Sequence, residues 1–120
     1  MTPIEIKEEM NRISLVLQEK LAQIVPLTVT VANTQKDYRI KLAAEIIKLR
    51  VSGEKVSLAE IIAKGNIDVA NLKVAHVIAE AHRQSCLKGI AVYMSVADTN
   101  RSLLKASKDE DISAGKNFYD

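Results

Sequence analysis

Two pairs of side chains in this 120-residue chain have a spacing that is compatible with metal binding or general-base catalysis. His82 and Cys86 lie four residues apart, so one face of a helix could present both to a zinc ion. His76 and Glu80 have the same spacing and could pair an imidazole with a carboxylate as a general base. Zinc needs three or four ligands, and the sequence completes neither that set nor a nucleophile arrangement. The sequence therefore predicts no metal, no cofactor and no enzymatic activity.

Basic residues are concentrated in the middle of the chain. Residues 31–60 carry six positive and four negative side chains, while the whole chain has a net charge of +2. A basic middle region could contact phosphates, but acidic Asp37 and Glu45 lie among the basic residues, as on an ordinary solvated helix surface. Nucleic-acid binding is therefore the alternative function, with these candidate residues: Lys36, Arg39, Lys41, Lys48 and Arg50.

The composition favours a helical protein with an aliphatic core. Hydrophobic residues make up 48% of the chain, aromatic residues only 3%, and tryptophan is absent. Such a core suits helix bundles better than sandwiches of strands. The single cysteine fits a reducing compartment, the N-terminus lacks a signal-peptide pattern, and no apolar run approaches the roughly 20 residues of a membrane span. We expect a soluble, cytoplasmic protein without a membrane partner.

The first helix has a clear predicted start. Thr2 can cap it, Pro3 suits its first turn, and Glu5 lies three residues after the cap. Apolar residues then recur at spacings of four and three, as in a coiled coil, and Leu17 lies in the middle of this series. The series is Ile6, Met10, Ile13, Leu17, Leu21 and Ile24. Leu17 is therefore predicted to be buried, and Pro26 is predicted to end or kink the helix.

Residues 27–31 are ambiguous. Their alternation of apolar and polar residues is typical of a strand, but no other strand is available to pair with them. A helical spacing also fits this stretch, so we favour a second helix from about Leu27 or Ala32 to Arg50. Gly53 is predicted to close it.

Two further helix starts are predicted beyond Gly53. Ser57 and Glu60 form a capping box that opens a short helix, which Gly65 ends. Asn66 or Asp68 then caps a long helix that extends from Ile67 to Ser107.

One face of the long helix is unusually rich in small residues. Alanine, cysteine and glycine allow a neighbouring backbone to approach closely, so we expect tight packing around Ala79. A second apolar row next to this face widens it, and a helix that is apolar on more than one side needs more than one partner. The predicted interface residues are Leu72, Ala75, Ala79, His82, Cys86, Ile90, Tyr93 and Val96.

The order of these features resembles a group of small helical accessory proteins from phages and prophages of Gram-positive bacteria. The resemblance covers residues 5–107 and rests on an acidic first helix, then Tyr38 to Gly53, Ala63-Lys64-Gly65, His82-Arg83 and Leu103-Leu104-Lys105. It implies a non-enzymatic accessory or inhibitor protein. It assigns a role to no individual residue.

These patterns together predict an all-α fold, either an elongated helical hairpin or a three-helix coiled-coil bundle with one long C-terminal helix. Residues 1–107 are predicted to form one domain and residues 108–120 a flexible tail. The expected function is helix-mediated binding to another protein, such as a replication, recombination or defence factor. Because the long helix offers more apolar surface than one chain can cover, a homo-oligomer is also expected.

Overall fold

The computed structural model describes the backbone of residues 2–119 and the side chains of residues 2–110. It contains three helices, α1 (Pro3–Val51), α2 (Val56–Gly65) and α3 (Ile67–Tyr119), and no strand in the backbone described. The predicted all-α fold with a long C-terminal helix is confirmed, and the N-terminal helix is long as well.

The start of α1 follows the predicted capping box. The backbone N–H of Glu5 donates to the Thr2 hydroxyl at 3.2 Å, and the Thr2 N–H donates to the Glu5 carboxylate at 3.0 Å. Each side chain therefore satisfies a backbone donor of the other residue, which fixes where the helix begins.

Pro26 was predicted to end or kink the helix; an end there is wrong, because α1 continues through it to Val51, and a kink stays a prediction. Residues 27–31 are helical, and two threonine hydroxyls bond back to carbonyls of the preceding turn. Thr28 Oγ1 donates to the Ile24 carbonyl at 2.7 Å, and Thr30 Oγ1 donates to the Pro26 carbonyl at 3.0 Å. The favoured helical alternative for this stretch is therefore confirmed, but the stretch lies within α1 and does not begin a second helix.

The loop after α1 is closed by Gly53, as predicted. Gly53 has a φ of 101°, a conformation that glycine adopts without a steric penalty. Its N–H donates to the Arg50 carbonyl at 3.1 Å, and the next N–H, of Glu54, donates to the Leu49 carbonyl at 3.0 Å. These two bonds form a Schellman motif, which satisfies the last carbonyls of α1.

The predicted cap of α3 agrees with the structure, whereas the predicted cap of α2 does not. The predicted capping box of α2 is wrong: the helix begins at Val56, and its N-cap, Lys55, makes no capping side-chain bond. Asn66 caps α3 as predicted, because its side-chain oxygen accepts the backbone N–H groups of Asp68 at 2.9 Å and Val69 at 3.2 Å.

The end of α3 lies beyond the predicted boundary. The helix extends to Tyr119, whereas the sequence predicts an end at Ser107. Helix propensity is a weak signal there, since residues 108–119 mix good and poor helix formers. A flexible tail over residues 108–120 stays a prediction.

The chain divides into two compact units. We call the first the terminal unit; it comprises the residues up to Gln23 and those from Cys86 onward. We call the second the central unit; it spans Ile24–Ser85. A single domain over residues 1–107 stays a prediction.

The terminal unit pairs the first part of α1 with α3 in antiparallel orientation. Lys20 contacts Cys86 and Gly89, and Met10, which comes earlier in α1, lines a recess together with Ala97, which comes later in α3. Its buried residues are Ile6, Ile13, Cys86 and Asn100.

The central unit has the same antiparallel order and also contains α2. Thr28 accepts a hydrogen bond from Arg83 at 3.2 Å, and Thr34 Oγ1 lies 3.4 Å from Nδ1 of His76. The buried residues of this unit are mostly alanines, which let helices approach closely: Ala59, Ala63, Val69 and Ala79.

The helix α1 contains a stretch that is long and apolar enough to cross a membrane by length and composition, and none of that stretch is buried. The expectation that no apolar run approaches the length of a span is therefore wrong by this criterion. One such helix is weak evidence for a membrane span, since core helices of soluble proteins and signal sequences near an N-terminus meet the same criterion.

Candidate protein-binding surfaces

Buried and half-buried positions recur along both long helices at alternating spacings of three and four. We call them seam positions. In α1 they are Ile6, Met10, Ile13, Leu17, Lys20, Ile24, Leu27, Val31, Thr34, Tyr38, Lys41 and Glu45. In α3 they are Val69, Leu72, His76, Ala79, Arg83, Cys86, Ile90, Tyr93, Ala97, Asn100, Leu104 and Ser107. A strict seven-residue repeat of this kind keeps one stripe of a helix in contact with a neighbouring helix.

The predicted interface residues on α3 fall into three classes. Ala79 and Cys86 are buried within the chain, and Leu72, Ile90 and Tyr93 are half-buried. The remaining three are exposed and therefore open to another molecule: Ala75, His82 and Val96. At these three places the next residue along the chain, rather than the predicted one, occupies the seam. Whether any of the eight contacts a partner stays a prediction.

Leu17 is half-buried, so the prediction that it is buried is wrong in degree. It lines an open groove with Leu21 of α1 and with Ile90 and Met94 of α3. Its side chain therefore keeps part of its apolar surface available.

A lysine occupies a seam position in the terminal unit, where Gly89 makes room for it. A Cβ atom at Gly89 would lie 3.0 Å from Nζ of Lys20 and 3.2 Å from its Cε. The Lys20 ammonium group reaches across to lie 5.8 Å from the centre of the Tyr93 ring, within cation–π range. The small residue in α3 thus accommodates a long charged side chain from α1.

The candidate chemical groups have structural partners instead of reactive ones. The Cys86 thiol is buried and donates to the Lys20 carbonyl at 3.4 Å, whereas His82 is exposed. Glu80 pairs with Arg83 at 3.5 Å and accepts a hydrogen bond from Gln84 at 3.0 Å. His76 lies beside the Thr34 hydroxyl. Within residues 2–110, no three His, Cys, Asp or Glu side chains are grouped to hold a metal ion.

The basic residues of the middle region are mostly engaged within the chain. Lys41 and Lys48 lie 3.2 and 3.3 Å from the same carboxylate of Glu45. Arg50 donates to the Glu54 carbonyl at 2.9 Å. The two other candidates for nucleic-acid contact, Lys36 and Arg39, are exposed.

Contacts with basic residues lower the pKa of two carboxyl groups. Hydrogen bonds from Lys41 and Lys48 lower the pKa of Glu45, whose side chain is only 15% exposed. A hydrogen bond from Arg12 lowers the pKa of Glu9, and the same contact raises the pKa of Arg12. Both carboxylates are therefore stabilised in their charged form, which describes structural ion pairs and not a general acid.

An apolar stripe covers the side of α3 that faces away from the seam in the central unit. We call it the outer stripe, and it consists of Ile67, Val74, Val77, Ile78 and Ala81. Its four large side chains are between 50% and 70% exposed, and the other residues on this side between Ile67 and Ala81 are uncharged. From the sequence, Val74 and Val77 could be assigned no further than to the second apolar row beside the predicted interface of the long helix. The seven-residue repeat, followed through α3, is the signal that separates the outer stripe from the seam.

No protein-family model, curated protein or solved structure matches this chain.

Proposed function

We propose that this chain is a non-enzymatic accessory protein that acts by binding another protein through the exposed apolar faces of its helices. The outer stripe is the observation that carries the proposal. It offers Val74, Val77 and Ile78 as exposed neighbours at helical spacing, with Ile67 two turns earlier, and exposed apolar patches commonly mark interaction surfaces. The resemblance to phage accessory proteins suggests a replication, recombination or defence factor as the partner.

The balance between buried and exposed apolar residues supports this proposal. Among the described side chains, seven hydrophobic residues are buried, whereas 21 large hydrophobic residues are at least 36% exposed. Single exposed apolar residues are normal on soluble proteins, but those of the outer stripe recur at helical spacing. An amphipathic helix surface of this kind fits a groove or a helix on a partner.

The proposal can be tested by affinity capture from a lysate of a Gram-positive host, followed by quantitative mass spectrometry. The parent chain is compared with the double variant Val77→Glu/Ile78→Glu, which places two charges in the outer stripe. Val92→Glu is the matched control, since Val92 is a 60% exposed residue on α3 outside the stripe. Binding of each captured protein is then measured with purified components by calorimetry.

The expected result is a partner that binds the parent and Val92→Glu but not the double variant. All three chains should show the same helical circular dichroism. The proposal fails if no protein is enriched over bare resin, or if the double variant retains every partner at the parent affinity.

A further inference from the structure

An open apolar groove lies along one side of the terminal unit. Its volume is about 220 Å³. The apolar lining comes from Leu17 and Leu21 of α1 and from Ile90, Met94 and Ala97 of α3. Asp98 and Arg101 complete the lining, and their side chains form an ion pair with each other at 3.0 Å.

On the groove side, the apolar stripe of each helix extends beyond the seam positions. Leu17 and Ile90 are seam residues, and each is followed four positions later by an apolar residue on the groove side. These following residues, Leu21 and Met94, are 54% and 55% exposed. A stripe this wide is typical of a helix that packs against two neighbours, as in four-helix bundles, and not against one. Among the residues that the structure describes, both helices of the terminal unit therefore lack a neighbour on this side.

We propose that a second copy of this chain covers the groove, so that the terminal units of two chains form a four-helix bundle. This inference rests on the proposed function, since it assumes that the chain works through helix-mediated binding. Two observations favour a second copy as the occupant.

The first observation is the charge of the groove. Asp98 and Arg101 neutralise each other within the chain, so the groove carries no unpaired charge. A molecule that binds in the groove must therefore be apolar and uncharged at the contact. Burying a charge there without a partner of opposite charge would cost free energy. The same face of a second copy meets this requirement.

The second observation is that more exposed and less exposed apolar residues lie on one face. Leu21 and Met94 are more than half exposed, whereas Leu17, Ile90 and Ala97, which line the same groove, are half-buried. A twofold symmetric interface requires such a self-complementary patch, since each subunit offers the same surface to the other.

Size-exclusion chromatography with light scattering at micromolar concentration tests this proposal. The parent is expected at twice the chain mass of 13.2 kDa. Met94→Glu places a charge in the groove and is expected at the mass of one chain. Val92→Glu, with a similar exposure but outside the groove, is expected to remain dimeric.

If circular dichroism shows that Met94→Glu does not fold, a milder pair of variants tests the same proposal. Leu21→Gln changes the groove from the α1 side, and Leu15→Gln changes a 62% exposed residue of α1 that does not line it. Sedimentation velocity should show a Kd for self-association that is about tenfold higher, or more, for Leu21→Gln and unchanged for Leu15→Gln.

A parent mass of one chain overturns the proposal, as does equal self-association of groove and control variants. These outcomes are separable from failure of the proposed function, because the outer stripe is not altered by these substitutions. A monomeric parent that still captures its partner would mean that the groove has another occupant. A dimeric parent that captures nothing would contradict only the proposed function.

Discussion

At the residue scale, the polar side chains at seam positions are the ones that the structure explains best. Lys20 is accommodated by Gly89, and Glu45 is held between Lys41 and Lys48. Asn100 is different, since its side chain is 6% exposed and its amide nitrogen has no hydrogen-bond partner among the described residues. A polar group in such a seam costs stability and can fix the register of the two helices.

Glu45 leads to a prediction about pH. Its pKa is lowered from the ordinary value of 4.5 by hydrogen bonds from Lys41 and Lys48, so the folded state favours the carboxylate. This stabilisation is present above pH 4.5 and is lost as the pH falls through the lowered pKa. We expect Glu45→Gln to lower the Tm at pH 7, and the difference from the parent to shrink at more acidic pH.

Thermal unfolding followed by circular dichroism from neutral to acidic pH would check this. Glu60→Gln, at an exposed position of α2, is the control and should leave the Tm close to that of the parent. A constant Tm difference between Glu45→Gln and the parent at every pH would contradict the proposed origin of the effect.

At the element scale, the continuity of α1 through Pro26 is the main departure from the sequence-based expectation. Proline removes one backbone hydrogen bond and its ring crowds the preceding turn. The seam residues on either side, Ile24 and Leu27, keep the same repeat, so packing on both sides favours one helix. The hydroxyls of Thr28 and Thr30 add bonds to nearby carbonyls.

The same feature predicts that Pro26→Ala stabilises the protein. In a helix interior, alanine is favoured over proline by about 3 kcal/mol. Pro26 is exposed, so the substitution removes little packing. Urea denaturation should show a free energy of unfolding that is higher by up to about 3 kcal/mol. An unchanged or lower value would indicate a turn at Pro26, where proline is favourable.

A second prediction at the element scale concerns the small buried residues of the central unit and the loss of stability when one of them is enlarged. Ala79 is 5% exposed, so Ala79→Leu should overpack its surroundings and cost about 1–3 kcal/mol. Ala81, two residues later on the same helix, is exposed and provides the matched control. Chemical denaturation should show a loss for Ala79→Leu and almost none for Ala81→Leu. Equal stabilities of the two variants would place Ala79 on an open surface.

At the scale of the whole molecule, the charge distribution bears on the alternative function. Of the five basic residues considered for nucleic-acid contact, Lys41 and Lys48 are paired with Glu45, and Arg50 is bound to a carbonyl. Lys36 and Arg39 are exposed, and neither forms an ion pair or a side-chain hydrogen bond with the other residues that the structure describes. Two phosphate contacts give weak binding with a shallow dependence on salt.

We therefore expect DNA binding, measured by fluorescence anisotropy across a salt series, to be weak. The slope of log K against log salt concentration should be no steeper than about −2, as for two phosphate contacts. Lys36→Gln/Arg39→Gln should abolish what binding there is. A slope of about −4 to −5 would instead show that all five basic residues contact phosphates, and would favour the nucleic-acid function.

Three local features could be predicted from the sequence alone. The capping box of Thr2 and Glu5, the Asn66 cap and the Gly53 turn were all predictable, because each depends on side chains within a few residues of the backbone groups they satisfy. The aliphatic composition was likewise sufficient to predict an all-α fold.

The register of the α3 seam depends on the tertiary structure. The sequence favoured Ala75, His82 and Val96, whereas the seam contains His76, Arg83 and Ala97. Adjacent positions at the edge of an apolar face fit a period of 3.6 almost equally well, and the difference accumulates at about 20° per seven residues. The contacts with α1 select one of the two, because packing along a neighbouring helix requires a strict seven-residue repeat. The same non-local packing keeps α1 continuous at Pro26, where the local signal favours a break.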